Sequence, residues 1–172
     1  MTVLKTMERE SVRDYFSKLW LTHDAMWFYH CINEIGIEKA NKINKAAVRS
    51  MAQAEVKRFS KLIGRENKAF SNFREVLDFF EQAIDLVRTD FMRVNVSSPE
   101  ENVIHFEFEN DRCFAFEGLS RMAFIEYYEC AIFERIEAWL EGVGVRYEIQ
   151  PRVIKCMKLD GGRCYRDCRI AL

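Results

Sequence analysis

The chain has 172 residues, 49% of them hydrophobic and 31% charged, with a formal net charge of −1. That length suits one domain with a sizeable core, and the composition excludes a disordered chain. Near-neutral charge argues against an overall nucleic-acid-binding character. Residues 1–10 hold no apolar run of signal-peptide length, and no run is long enough to span a bilayer. A cytoplasmic protein without membrane segments is expected. There the six cysteines should stay mostly reduced, and no C-x-x-C pair marks a common zinc motif.

Three long helices come first. Tyr15, Phe16, Leu19, Trp20, Trp27 and Cys31 recur at helical spacing and predict a helix from about Glu8 to Ile35, stopped by Gly36. Ala40, Ile43, Ala47, Met51 and Ala54 predict a second from Ile37 to Ile63. Phe70, Phe73, Leu77, Phe80, Ile84 and Val87 predict a third from Glu66 to Arg88. The connections are too short for a domain boundary, so the helices should pack as neighbours.

The period then changes. Phe91 to Val96 reads as a first strand. Ile104, Phe106 and Phe108 alternate with His105, Glu107 and Glu109, which predicts a half-buried strand over Asn102 to Glu109. Asn110-Asp111 should turn the chain and Cys113-Phe114-Ala115-Phe116 should return it as a strand. Arg121 to Glu141 reads as one helix, ended by Gly142 and Gly144. Val145, Tyr147 and Ile149 predict a strand up to Pro151, which marks an edge, a bulge or a break. The tail from Ile154 to Leu172 reads as a hairpin about Asp160-Gly161-Gly162. The expected fold is α+β: one domain over residues 1–172, with three helices (about 8–88) packed on an antiparallel sheet with one inserted helix (about 90–172).

In such a hairpin Cys156 lies across from Cys168, and Cys164 shares the face of Cys168. If the strands around Cys113, Cys156 and Cys168 are neighbours and the helix near Cys130 packs on them, the thiolates converge. Cys113, Cys130, Cys156 and Cys168 are then candidate ligands for zinc or an iron–sulfur cluster. Alternatively one thiol is an activated nucleophile, with Cys168 the candidate and Arg166, on the same face, the electropositive neighbour. The plain alternative is burial, since free cysteine packs as a small hydrophobe.

On the first helix His23, Trp27, His30 and Glu34 share a face, with Asp24, Trp27 and Cys31 as an adjacent stripe. Asp24, Trp27 and His30 are candidate ligand-pocket residues, and Asp24 and His30 are candidates for proton transfer. Lys42, Lys45, Arg49, Lys57 and Lys61 form a basic stripe on the second helix, whereas the segment Glu100–Glu141 is strongly acidic; the stripe attracts an anionic ligand or nucleic acid, or is a solvated face, or complements acidic groups of the same fold or of a partner subunit. Nucleic acid is not the expected partner, because the aromatics sit at core spacing and not among the lysines. No G-x-G-x-x-G, P-loop, G-x-S-x-G or H-E-x-x-H occurs. Fourteen phenylalanines and three tryptophans could line an apolar pocket.

The Asp24-Ala-Met-Trp27-Phe28 helix, the spaced cysteines of the second half and the final strand from Cys168 resemble a group of uncharacterised prokaryotic cytosolic proteins. That group is distantly similar to L-2-amino-thiazoline-4-carboxylic acid hydrolase-like proteins and to the 4-vinyl reductase small-molecule-binding domain. The chain departs from the pattern in Ala25, in the additional Cys164 and in Met157-Lys158. The resemblance implies helices packed on an antiparallel sheet around a ligand pocket. Three expectations follow. The first is a small-molecule-binding domain, with or without a cysteine-held metal. The second is a cysteine-dependent hydrolase acting on a C=N bond. The third is a structural or oligomerising protein, such as a homodimer, with buried thiols.

Overall fold

The computed structural model describes residues 3–159 and 161–172. Helix α1 (Arg9–Ile35) and helix α2 (Ile37–Leu62) are joined by Gly36 alone. Gly36 has φ +81°, a conformation glycine adopts without a Cβ penalty, so the chain reverses within one residue. Helix α3 (Phe73–Val87) begins later than its apolar spacing suggests. The Asn72 side chain accepts a hydrogen bond from the Glu75 amide at 3.0 Å and caps the helix there.

Four strands follow: β1 (Met92–Ser97), β2 (Val103–Cys113), β3 (Arg146–Gln150) and β4 (Cys164–Ala171). They form one antiparallel sheet in the order β1-β2-β4-β3. The expected turn at Asn110-Asp111 does not occur. β2 runs on to Cys113, which pairs with Met92 of β1 across a register irregularity. The expected return strand at Cys113–Phe116 is instead the start of helix α4 (Phe114–Arg121). The single helix expected over Arg121–Glu141 is likewise divided. A 3-10 turn at Ile125–Tyr127 separates α4 from helix α5 (Ala131–Gly142).

The tail hairpin is also corrected. Residues 154–159 form no strand beside β4, although Lys155 makes an isolated bridge to Glu129. β4 instead enters the sheet between β2 and β3. Cys168 therefore lies opposite Ile104 and Ile149, not Cys156. Of the proposed turn residues, Asp160 lies outside the described residues.

The sheet has one apolar face. Val94, Ile104, Phe106, Phe108, Ile149, Cys164, Cys168 and Ile170 are buried with residues of α3 and α5. Phe80 of α3 packs edge-on to Phe106 with centroids 5.6 Å apart, and Phe133 of α5 packs edge-on to Phe108 at the same distance. The other face is polar: His105, Glu107, Arg163 and Asp167 pair across it. Helix α2 lies on α5, and two residues of its basic stripe find partners there. Arg49 binds Glu134 at 2.9 Å and Lys45 pairs with Glu129 just before α5. A second, smaller apolar cluster joins α1, α2 and α4 through Phe28, Ile32, Ala40 and Leu119, with Ile125 and Tyr128 beyond.

Candidate functional site

A cavity of about 350 Å³ lies among α1, α2, α4 and the first turn of α5. Small residues create it. Ala25 of α1, Ala47 of α2, Ala115 and Gly118 of α4, and Ala131 of α5 all face it, so four helices approach without filling the space. A Cβ added at Gly118 would meet no atom within 4 Å. Larger apolar side chains close the walls: Leu21 and Phe28 from α1, Met51 from α2, and Leu119 and Met122 from α4. The volume falls in the range of small-molecule pockets, and the lining is mostly apolar with few polar groups, as such sites require.

The polar groups are specific. Asp24 and Asn44 reach the cavity, as does Arg135. Partial burial pushes the Asp24 carboxyl above its ordinary value, against the opposing influence of His23. The Arg135 guanidinium is already engaged, because its Nε and one terminal nitrogen donate to Glu55 at 2.8 and 2.5 Å. The Tyr128 hydroxyl accepts from the Ala131 amide at 3.1 Å, and burial pushes its pKa well up. Asn41 fixes the segment carrying Tyr128: its amide donates to the Tyr127 carbonyl at 2.8 Å, and its carbonyl accepts from the Glu129 amide at 3.2 Å.

Of the residues singled out in the sequence, Asp24 lines this cavity. Trp27 and His30 lie on the outer, exposed side of α1 and are not among the lining residues. The cavity wall that sequence reasoning missed is α4. Its signal was present: Ala115, Gly118, Leu119 and Met122 follow i, i+3, i+4, i+7. The short alternation around Cys113 masked it.

The thiols fall into two places. Cys113, Cys130, Cys156 and Cys164 are near enough that their ionised forms would repel one another, with Lys158 beside Cys113, Cys156 and Cys164. Cys168 stands apart in the main core, near Glu137 and Arg166, and is fully buried. Burial pushes Cys130 up to about 11, and Cys164 and Cys168 up to about 12. An activated thiol nucleophile needs the opposite shift. Arg166 does share the buried face of Cys164 and Cys168. Its guanidinium is spent on the carbonyls of Val153 (2.7 Å) and Tyr165 (2.8 Å) and lies 4.2 Å from the Phe133 ring centroid. Among the described residues no group of three or more His, Cys, Asp or Glu side chains is placed to hold a metal ion. Among the same residues no helix is long and apolar enough to cross a membrane.

A solved structure shares this architecture: a trafficking protein particle complex subunit 3 from Naegleria fowleri, covalently bound to palmitic acid. The two superpose with a TM-score of 0.55 over 91% of this chain and 95% of that chain, at 16% sequence identity, a likeness of fold. No curated protein matches the sequence. The model of a family of unknown function (DUF6125) matches residues 5–158, and the chain belongs to that family.

Proposed function

We propose that this chain is a small-molecule-binding domain that takes an apolar ligand of the fatty-acyl kind between α1, α2, α4 and α5. The observation that carries the reading is the cavity itself, apolar and built by small residues from four helices. The palmitic acid in the structural neighbour supports the same ligand class. The head group follows from the polar residues. Arg135 is held by Glu55, and the carboxyl available to a ligand is Asp24. A second carboxylate beside it would be repelled, so a neutral head group that donates a hydrogen bond fits better than a free acid.

The test is displacement of an environment-sensitive apolar dye by hexadecan-1-ol and by palmitic acid. Both should compete near neutral pH, the alcohol more strongly, and Asp24→Asn should narrow the difference. Failure of both to displace the dye, with none found by native mass spectrometry, would sink the proposal.

A further inference from the structure

Helix α1 is apolar on two sides. Each residue advances about 100° around the axis. Leu21, Ala25, Phe28 and Ile32 fall on the inner side, towards the cavity and the smaller core. Tyr15, Phe16, Leu19, Met26 and Trp27 fall on the outer side and Trp20 at its edge, where it also lines the cavity, and each is at least 41% exposed. With full side-chain areas of roughly 150–250 Å² for the aromatics, these six leave on the order of 600 Å² of largely apolar surface open. That is at the top of the range for a single patch on a monomer, and with its polar margin it approaches the roughly 800 Å² each partner contributes to a stable interface.

The outer side also has an order. Arg9, Arg13, Phe16, Trp20, His23, Trp27, His30 and Glu34 follow alternating steps of four and three, the spacing of a helix–helix seam. Reversed about the midpoint between Leu21 and Thr22, this seam complements itself. Phe16 then meets Trp27, Trp20 meets His23, and Arg9 meets Glu34 at both ends. Arg13, which would approach His30, is drawn aside by Asp14 and by the Asp85 carbonyl, to which it donates at 3.3 Å. A two-fold interface demands this kind of self-complementarity. A membrane-surface helix would instead carry lysines and arginines along both margins, whereas Glu34 closes one end of this seam.

We propose that the outer face of α1 is the interface of a homodimer, in which two copies of α1 pack antiparallel about that midpoint. Apart from Trp20, which borders both, this face is separate from the cavity. Sedimentation velocity of the full chain under reducing conditions tests it, and a dimer is expected at low micromolar concentration. Trp27→Glu should yield a monomer with an unchanged circular dichroism spectrum. Arg9→Glu and Glu34→Arg should each weaken the dimer about fivefold at low salt, and the two together should restore it. A wild-type monomer at about 100 μM, or a dimer indifferent to Trp27→Glu and Phe16→Glu, overturns the interface. Failure of the paired charge reversal to rescue overturns the antiparallel register. A monomer that floats with anionic vesicles through this face also overturns the proposal.

Discussion

Glu55 of α2 receives two hydrogen bonds from Arg135 of α5, at 2.8 and 2.5 Å, and a third from the Trp139 indole at 3.0 Å. One carboxylate thus joins the cavity wall to the main core, since Arg135 lines the cavity and Trp139 is buried beneath α3. Glu55→Ala should destabilise the protein by about 2–3 kcal/mol, because it leaves a half-buried guanidinium and a buried indole N–H without their acceptor. A urea unfolding curve checks this. A midpoint unchanged from wild type would mean that α2 docks on α5 by apolar contact alone.

Gly118→Leu separates binding from folding. The site is an ordinary helical position with free space ahead of its Cβ. Replacing glycine there should raise stability by about 0.5–1 kcal/mol through helix propensity. The same side chain would enter the cavity and lower the affinity for hexadecan-1-ol at least about tenfold, as lost volume in an apolar pocket does. A thermal melt and the dye displacement assay read the two effects separately. Undiminished binding in a stable variant would place the ligand elsewhere.

The polar face of the sheet predicts an acid sensitivity. Arg163 donates to both oxygens of Glu107 at 2.6 Å, and His105 approaches the same carboxylate at 3.3 Å. Arg163, and secondarily His105, hold Glu107 down to about 2, against an ordinary value of 4.5. A depressed folded-state pKa means the ionised group stabilises the fold above pH 4.5, and that contribution is lost as pH falls towards 2. Arg163→Gln should return the Glu107 titration, followed by carboxyl NMR shifts, towards 4.5 and flatten the stability change across that window. A Glu107 midpoint that stays near 2 in the variant would assign the shift to His105.

Thiol labelling should follow burial. Cys113, Cys164 and Cys168 are buried, whereas Cys31, Cys130 and Cys156 are partly exposed, Cys130 with a thiol that burial pushes up to about 11. Burial also pushes Cys164 and Cys168 to about 12, leaving little thiolate at pH 8. Iodoacetamide at that pH should modify Cys31 and Cys156 first, and the buried three only on unfolding, as mass spectrometry of a time course would show. Rapid modification of Cys168 in the native protein would revive a nucleophilic role for it.

Much of the architecture was written in local pattern. Although the aromatic spacing of α1 marks an exposed side, and its buried residues are Phe28 and Ile32, the extents of α1 and α2, the stop at Gly36, the alternation of Ile104, Phe106 and Phe108, and the break after Ile149 all appear where the sequence placed them. So does the shared face of Cys164, Arg166 and Cys168, because side-chain parity along a strand is a property of the strand alone. What lies across from a strand is not. Cys168 faces Ile104 and Ile149 because β4 crosses to the middle of the sheet, a choice made by pairing over long sequence separation. The segment 113–116 read as a strand in isolation, yet Phe114 to Met122 coils so that Ala115, Leu119 and Met122 can wall the cavity. Asp24 was visible as a carboxylate on an apolar helix, but its place at the cavity depends on four helices leaving space together. The sequence by itself determined which residues are apolar, at what period, and where the chain must turn. Only the tertiary structure decided which of those faces meet, because burial is a property of pairs of elements and no single element carries it.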